Sequence, residues 1–170
     1  MSEAAPAGSE QRVHGSVEAW LQSAAAGRAG AGVIAIIAEA HAPLADRLPA
    51  GATVMPPPES MDALPDGARF GLGLIIGGLE ALPATRTGEQ LLARLRDLYC
   101  DRVEVLVEPG SQWSRSRMLA LEYTLSARVQ REAGEDWRVY AWDLAVYNPE
   151  REWNTPEHWA NPQNFRRYRW

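Results

Sequence analysis

The sequence predicts an α/β fold with three layers, in which helices cover both faces of a mainly parallel sheet of about five strands. Strand-like and helix-like segments alternate from residue 16 to residue 142, a pattern typical of parallel strands joined through helices. Two of the strand-like segments, 33–37 and 70–76, are apolar at almost every position, as expected of strands covered on both faces. A chain of 170 residues is long enough for one such domain with a sizeable core.

Local patterns predict the individual elements. The first helix begins after Ser16, whose hydroxyl can cap it. A later helix begins at Thr87, where Gln90 takes the capping-box position. After Pro109-Gly110, the apolar spacing indicates a long helix over 116–132. We expect strands at 33–37, 53–55, 70–76, 102–107 and 137–142, and helices at 16–26, 43–48, from 87 to about 99, and at 116–132. The core is expected to include Val33, Ile34, Ile36, Leu72, Leu74, Ile75, Leu91, Leu95, Val103, Val105, Leu121 and Leu125.

Composition restricts the classes of function. The net charge of −5 offers no general attraction to nucleic acid, and every one of the 17 basic residues is Arg. Cys100 is the single cysteine and the three histidines share no ligand spacing, so neither a disulfide nor a metal site is predicted. The polar first residues do not form a signal peptide, and the longest apolar stretch, 70–79, is too short to span a bilayer. These features predict a cytoplasmic protein without a membrane segment.

Three regions follow from the distribution of polar, apolar and aromatic residues. Residues 1–12 are small and polar and are expected to be disordered. Residues 13–147 form the α/β domain. Residues 148–170 form a tail with three residue pairs that favour a helix start, Asn148-Pro149, Thr155-Pro156 and Asn161-Pro162.

The tail is rich in aromatic residues and is expected to pack on the domain. Its last 18 residues hold Trp153, Trp159, Phe165, Tyr168 and Trp170, interleaved near the end with three Arg. Such interleaving is typical of surfaces that stack on single-stranded nucleic acid, but the charge of the segment is close to balanced, so nucleic acid is not the expected partner. A structural role ranks first and a protein partner second.

Two segments carry a resemblance to known families. The segment ARFGLGLIIGGLEALP, residues 68–83, resembles the part of class I S-adenosylmethionine-dependent methyltransferases in which the fourth strand is followed by a turn, an acidic or histidine residue, and Leu-Pro. The ending WNTPEHWANPQNFRRYRW resembles a family of uncharacterised proteobacterial proteins with a shortened methyltransferase-like domain and a Trp-Ala-Asn-Pro…Asn-Phe…Tyr…Trp tail. These resemblances imply a shortened Rossmann-like fold of the methyltransferase type.

The cofactor features of that methyltransferase type are mostly absent from the sequence. Glu39 takes roughly the place of the acidic residue after the first strand, but Ala40-His41-Ala42-Pro43 stands where glycines would let the backbone approach a cofactor. Met55 and three prolines stand where an acid would hold the ribose. The resemblance therefore implies a binding or scaffold domain without methyl transfer, with no catalytic residue and no cofactor. The alternative is an S-adenosylmethionine-dependent enzyme with a diverged loop, in which Glu39, Gly77, Gly78 and Glu80 bind the cofactor.

Several residues allow two interpretations. Glu39 and His41 are either a proton-transfer pair or, as we favour, a helix-start acid beside an exposed histidine. Gly77-Gly78 either admits a ligand or shapes a tight turn. The segment 110–117 is either an anion site or, as we favour, a capped helix start with solvated Arg. Cys100 is expected to be a small core residue.

Overall fold

A seven-stranded mixed sheet runs through the part of the chain that the computed structural model describes, residues 12–26, 32–130 and 136–147. Expectations for the amino terminus before residue 12 and for the tail 148–170 lie outside these residues. The strands are β1 (Arg12–Ser16), β2 (Val33–Ile37), β3 (Thr53–Met55), β4 (Leu72–Ile76), β5 (Arg102–Val107), β6 (Thr124–Gln130) and β7 (Asp136–Asp143). Their order across the sheet is β1-β6-β7-β5-β4-β2-β3.

Within the described residues, four α-helices, two 3-10 segments and one π-helical turn accompany the sheet. The α-helices are α1 (Val17–Ala26), α2 (Thr85–Arg94), α3 (Arg115–Ala120) and α4 (Leu144–Tyr147). Two 3-10 segments cover Glu39–Arg47 and Met61–Ala63, and a π-helical turn, Leu95–Tyr99, extends α2. None of the helices in the described ranges is long and apolar enough to cross a membrane.

The α/β class is confirmed, but the narrower prediction of a shortened, three-layer, Rossmann-like and methyltransferase-type sheet is wrong. Strands β2, β3, β4 and β5 pair in parallel, as expected. Strand β7, however, lies antiparallel to both β5 and β6, and β1 and β6 were not expected as strands at all. The sheet therefore has seven strands where about five were predicted. It is mostly parallel, as expected, but β7 forms two antiparallel pairs.

The number of strands was underestimated because residues 116–132 were expected to form one long helix, whereas they contain α3 and β6. Helix α3 ends at Ala120, and the chain reverses at Glu122, whose φ is 69°. The following residues, Thr124–Gln130, alternate between buried and exposed side chains near their end, with Ala127 and Val129 facing the core. Pairing along β7 satisfies the backbone of this segment and buries that face, which outweighs the helical spacing of its apolar residues.

Helix α2 also departs from its prediction at both ends. It begins at Thr85, not Thr87, and its N-cap residue Ala84 has no side chain that can cap it, so the expected capping box is absent. At the other end, the π-helical turn changes the phase of the helix. Within this turn Leu95 and Tyr99 are buried, whereas Leu98 is 60% exposed.

The core lies in two clusters, which together contain side chains from every interior strand. One cluster packs Ile34, Ile36 and Ile75 against Leu91 and Leu92 of α2. The other packs Val33, Leu72 and Leu74 against Trp20 and Leu21 of α1. The capping of α1 by Ser16 is confirmed, since its hydroxyl accepts a hydrogen bond from the amide of Ala19 at 3.1 Å. The predicted core residues are buried except Leu121 and Leu125, which are only partly buried.

Candidate functional site

The carboxyl ends of β2, β4 and β5 meet at one edge of the sheet. From β2 the chain passes to β3 on one side and then crosses to β4 on the other. In open parallel sheets, the crevice at such a reversal of strand order is where ligands bind. Three turns border it here: residues 38–43 after β2, residues 77–83 after β4 and residues 108–113 after β5.

His41 is the central side chain of this edge. It lies in the 3-10 segment after β2 and is 5% exposed. Its Nε2 lies 2.9 Å from Oε1 of Glu108, which follows β5 and whose side chain is 36% exposed. Because a carboxylate only accepts hydrogen bonds, Nε2 carries the proton in this contact. The imidazole also meets Trp137 of β7 edge to face, with ring centroids 5.4 Å apart.

Gly77 leaves the space in which the imidazole of His41 lies. The residue has φ of 62°, a conformation that glycine adopts without steric cost. A Cβ atom at residue 77 would lie 2.3 Å from Cδ2 of His41. The imidazole therefore lies across the end of β4, in the space that the missing side chain leaves. Gly78 lies less tightly against the core, since a Cβ there would lie 3.1 Å from Cγ2 of Ile75 and 3.2 Å from Cγ2 of Ile36.

Glu80 and Ser111 form a second polar contact at the same edge. The hydroxyl of Ser111 donates to Oε1 of Glu80 at 2.5 Å and accepts from the backbone amide of Trp113 at 3.1 Å. Oε2 of Glu80 is buried and accepts no hydrogen bond from any described residue. Trp113 itself is fully buried, and it packs so closely on α2 that a Cβ at Gly88 would lie 2.4 Å from its Cζ2.

Comparison with known proteins identifies a family for this chain. A family model with the description "Family of unknown function (DUF6231)" matches residues 12–170. The chain belongs to the DUF6231 family. No curated protein and no solved structure matches it. The match confirms the coarser part of the resemblance, which is membership of a family of unknown function.

The DUF6231 chain brings only some of the predicted site residues together. Glu39 is exposed at the start of the 3-10 segment, as the favoured interpretation held. His41 is buried and bonded to Glu108, so the expectation of an exposed histidine is wrong. Gly77 lies against His41, whereas the carboxylate of Glu80 is bonded to Ser111.

The segment 110–117 adopts the favoured structure, a capped helix start. The hydroxyl of Ser114 accepts from the amide of Arg117 at 3.3 Å. The guanidinium of Arg117 lies 5.7 Å from the centre of the Trp113 ring, and its Nε is 3.7 Å from Oε1 of Glu89. This Arg is therefore packed against an aromatic ring and paired with a carboxylate, rather than fully solvated.

The sequence analysis assigned no individual role to three residues of the edge, Glu108, Ser111 and Trp137, although Ser111 lies in the segment 110–117 considered there. A signal existed for the first two. They directly follow a predicted strand, just as residues 38–43 follow another, and the carboxyl ends of parallel strands share one edge. No comparable signal existed for Trp137, because its place depends on the antiparallel direction of β7. Within the described ranges, no group of three or more His, Cys, Asp or Glu could hold a metal ion.

Proposed function

We propose that this DUF6231 chain is a binding or scaffold domain that performs no methyl transfer. The observation that carries the proposal is the place of the His41 imidazole, 2.3 Å from the Cβ position of Gly77 and across the end of β4. A nucleoside cofactor at this crevice needs close approach to backbone that lacks side chains. Here the imidazole of His41 occupies that space.

The environment of His41 argues that the imidazole stays in this place. Its Nε2 is bonded to Glu108 and its ring packs on Trp137. Moving the ring would break a hydrogen bond to a charged group, a loss of about 1.5–3 kcal/mol when the group is well buried, and less here because Glu108 is partly exposed. A cofactor would have to offset this cost before it gained affinity.

The partner of the domain, on this proposal, is another protein that binds through residues 148–170. The support comes from the sequence, which places five aromatic residues among the last 18 with nearly balanced charge. Aromatic side chains are enriched at protein interfaces, where they supply large contact areas. The proposal expects a chain shortened to residues 1–147 to lose the partner that the full chain retains.

The alternative function is an enzyme that binds S-adenosylmethionine through Glu39, Gly77, Gly78 and Glu80. One observation favours it: the buried Oε2 of Glu80 lacks a hydrogen-bond donor among the described residues. The exposure of Glu39 and the close packing of Gly77 and Gly78 on His41 and Ile36 weigh against it.

Calorimetric titration of the full chain with S-adenosylmethionine and with S-adenosylhomocysteine tests the proposal. We expect no saturable heat up to millimolar ligand. The matched variant is His41→Ala, which opens the crevice and shows whether the imidazole excludes the cofactor. One-to-one binding at micromolar concentration by the unaltered chain would overturn the proposal in favour of the enzyme.

A further inference from the structure

Among the described residues, one carboxylate oxygen of Glu80 has a hydrogen-bond donor and the other has none. Oε1 accepts from the hydroxyl of Ser111, whereas Oε2 is buried and receives no hydrogen bond from the described part of the chain. A buried polar atom without a partner costs free energy, and native proteins leave few of them. The arrangement therefore calls for a hydrogen-bond donor at Oε2.

The described arginines do not supply this donor. Arg69 pairs with Asp101, Arg102 with Glu104 and Asp143, and Arg117 with Glu89. The fourth paired arginine, Arg96, lies between Asp97 and Glu122. No ion pair within the described ranges includes Glu80.

The surroundings hold the carboxylate in a defined orientation. Ser111 is itself fixed, because its hydroxyl accepts from the amide of Trp113 and its own amide donates to the carbonyl of Glu108 at 3.3 Å. That same turn places the partly exposed carboxylate of Glu108 at this edge. Two carboxylates therefore lie at the carboxyl ends of β4 and β5, and their combined charge attracts cations.

We propose that Glu80, oriented by Ser111, is the recognition group for a small organic cation with N–H donors, an ammonium or a guanidinium. The inference deepens the proposed binding function, on which it rests, and names the ligand class of the domain. A charged donor is favoured because a hydrogen bond between two ionised groups is about twice as strong as a neutral one. The cation would both donate to Oε2 and compensate the charge of this partly buried carboxylate.

The test uses two probes, n-butylammonium chloride and n-butylguanidinium chloride, with n-butanol as the uncharged analogue. Backbone amide and indole NMR signals of the full chain are followed during each titration. We expect saturable shifts centred on residues 77–80 and 111–113 with either cation, and none with the alcohol. If either cation gives no saturable shifts, or gives shifts that are centred on other residues, the proposal is overturned.

Variants identify the group responsible. Glu80→Gln keeps the shape of the side chain but removes the charge, and should weaken cation binding by about tenfold or more. Glu59→Gln removes an exposed carboxylate from the connection between β3 and β4, and should leave binding unchanged. Equal affinities of Glu80→Gln and the unaltered chain contradict the proposal.

Ser111→Ala provides a second variant in case Glu80→Gln fails to fold. It leaves the charge of Glu80 in place but removes the hydroxyl that orients it, so binding should weaken several-fold; unchanged binding contradicts the role of Ser111 and with it the proposal. The result is separable from that of the proposed function. Micromolar binding of S-adenosylmethionine refutes the function whatever the cations do, whereas absent cation binding refutes only this inference.

Discussion

The imidazole of His41 and the carboxylate of Glu108 lie 2.9 Å apart although 67 positions separate the two residues in the sequence. The contact joins β2 to β5, which are not neighbours in the sheet, because β4 lies between them. It passes over the end of β4, where Gly77 has no side chain. The approach to the backbone at Gly77 is thus closed by the imidazole of His41.

Substitution of Gly77 should reveal this close approach. Gly77→Ala combines a left-handed backbone, which costs other residues about 1–2 kcal/mol, with a Cβ only 2.3 Å from His41. We expect the free energy of unfolding in urea to fall by about 2 kcal/mol or more, because overpacking adds to the backbone cost. The matched control is Gly67→Ala, where φ is 67° but no atom lies within 4 Å of the added Cβ. An equal loss in both variants would refute the steric contribution of His41.

The contact between His41 and Glu108 should be measurable as a coupling free energy. A double-mutant cycle of His41→Ala and Glu108→Gln is expected to give about 1 kcal/mol, because the imidazole is buried and the carboxylate only partly so. The control cycle uses Arg69 and Asp101, which are 2.9 Å apart with both side chains more than 40% exposed. That exposed pair should couple by about 0.5 kcal/mol or less. A coupling of His41 and Glu108 no larger than that of the control would contradict the role assigned to this pair.

Glu104 should be important for the docking of α1 on the sheet. This carboxylate is buried in β5, accepts from the indole of Trp20 at 2.6 Å and pairs with Arg102. Trp20→Phe removes the donor and should cost about 1.5–3 kcal/mol from the hydrogen bond, in addition to the lost packing. Trp113→Phe is the matched control, since the indole nitrogen of Trp113 is buried without a partner in the described chain. The two variants are compared by chemical denaturation, and a similar loss from both would show that the hydrogen bond contributes little.

The buried thiol of Cys100 should make the folded protein less stable at alkaline pH. Burial, with a smaller contribution from Asp101, raises the pKa of the Cys100 thiol to about 12. The pKa of this thiol is therefore higher in the folded protein than in the unfolded chain. Its contribution to the free energy of unfolding is fully present below about pH 9 and is lost as the pH rises towards 12. Burial also raises the pKa of Tyr123, which acts in the same direction. Thermal melting between pH 8 and pH 11 should show this fall, and Cys100→Ala should make it shallower.

The same burial makes the thiol unreactive in the folded protein. At pH 8, a thiol reagent should modify Cys100 only after denaturant is added, because the thiolate is the reacting form. Rapid modification under native conditions would mean that the thiol is accessible and its pKa ordinary.

Residues 153–170 lie outside the described part of the chain, and their packing stays a prediction from the sequence. Deleting them should lower the melting temperature and promote aggregation, since burial of even one large apolar ring is worth about 1.5–3 kcal/mol. A full-length control with Arg166, Arg167 and Arg169 replaced by Gln retains every aromatic side chain and should melt as the unaltered chain does. If the shortened chain melts normally, the tail does not stabilise the domain.

The sequence by itself determined the interior of the parallel part of the sheet. The runs at 33–37 and 70–76 are so uniformly apolar that only burial on both faces removes them from water, and both contain interior strands, β2 and β4. Ser16 likewise marked the start of α1, because its hydroxyl bonds to the amide of a residue only three positions later. Such features depend on neighbouring residues and can be read locally.

Only the tertiary structure decided the second half of the sheet and the partners of the polar side chains. Thr124–Gln130 became a strand because β7, which was predicted as a strand, lies beside it in antiparallel orientation. The local pattern of either segment does not show which strand it pairs with or in which direction. His41 was buried and bonded because Gly77 leaves space above β4 and Glu108 emerges beside it. Hydrogen bonds and close packing act over a few ångströms, so they depend on which segments the fold brings together across long stretches of chain.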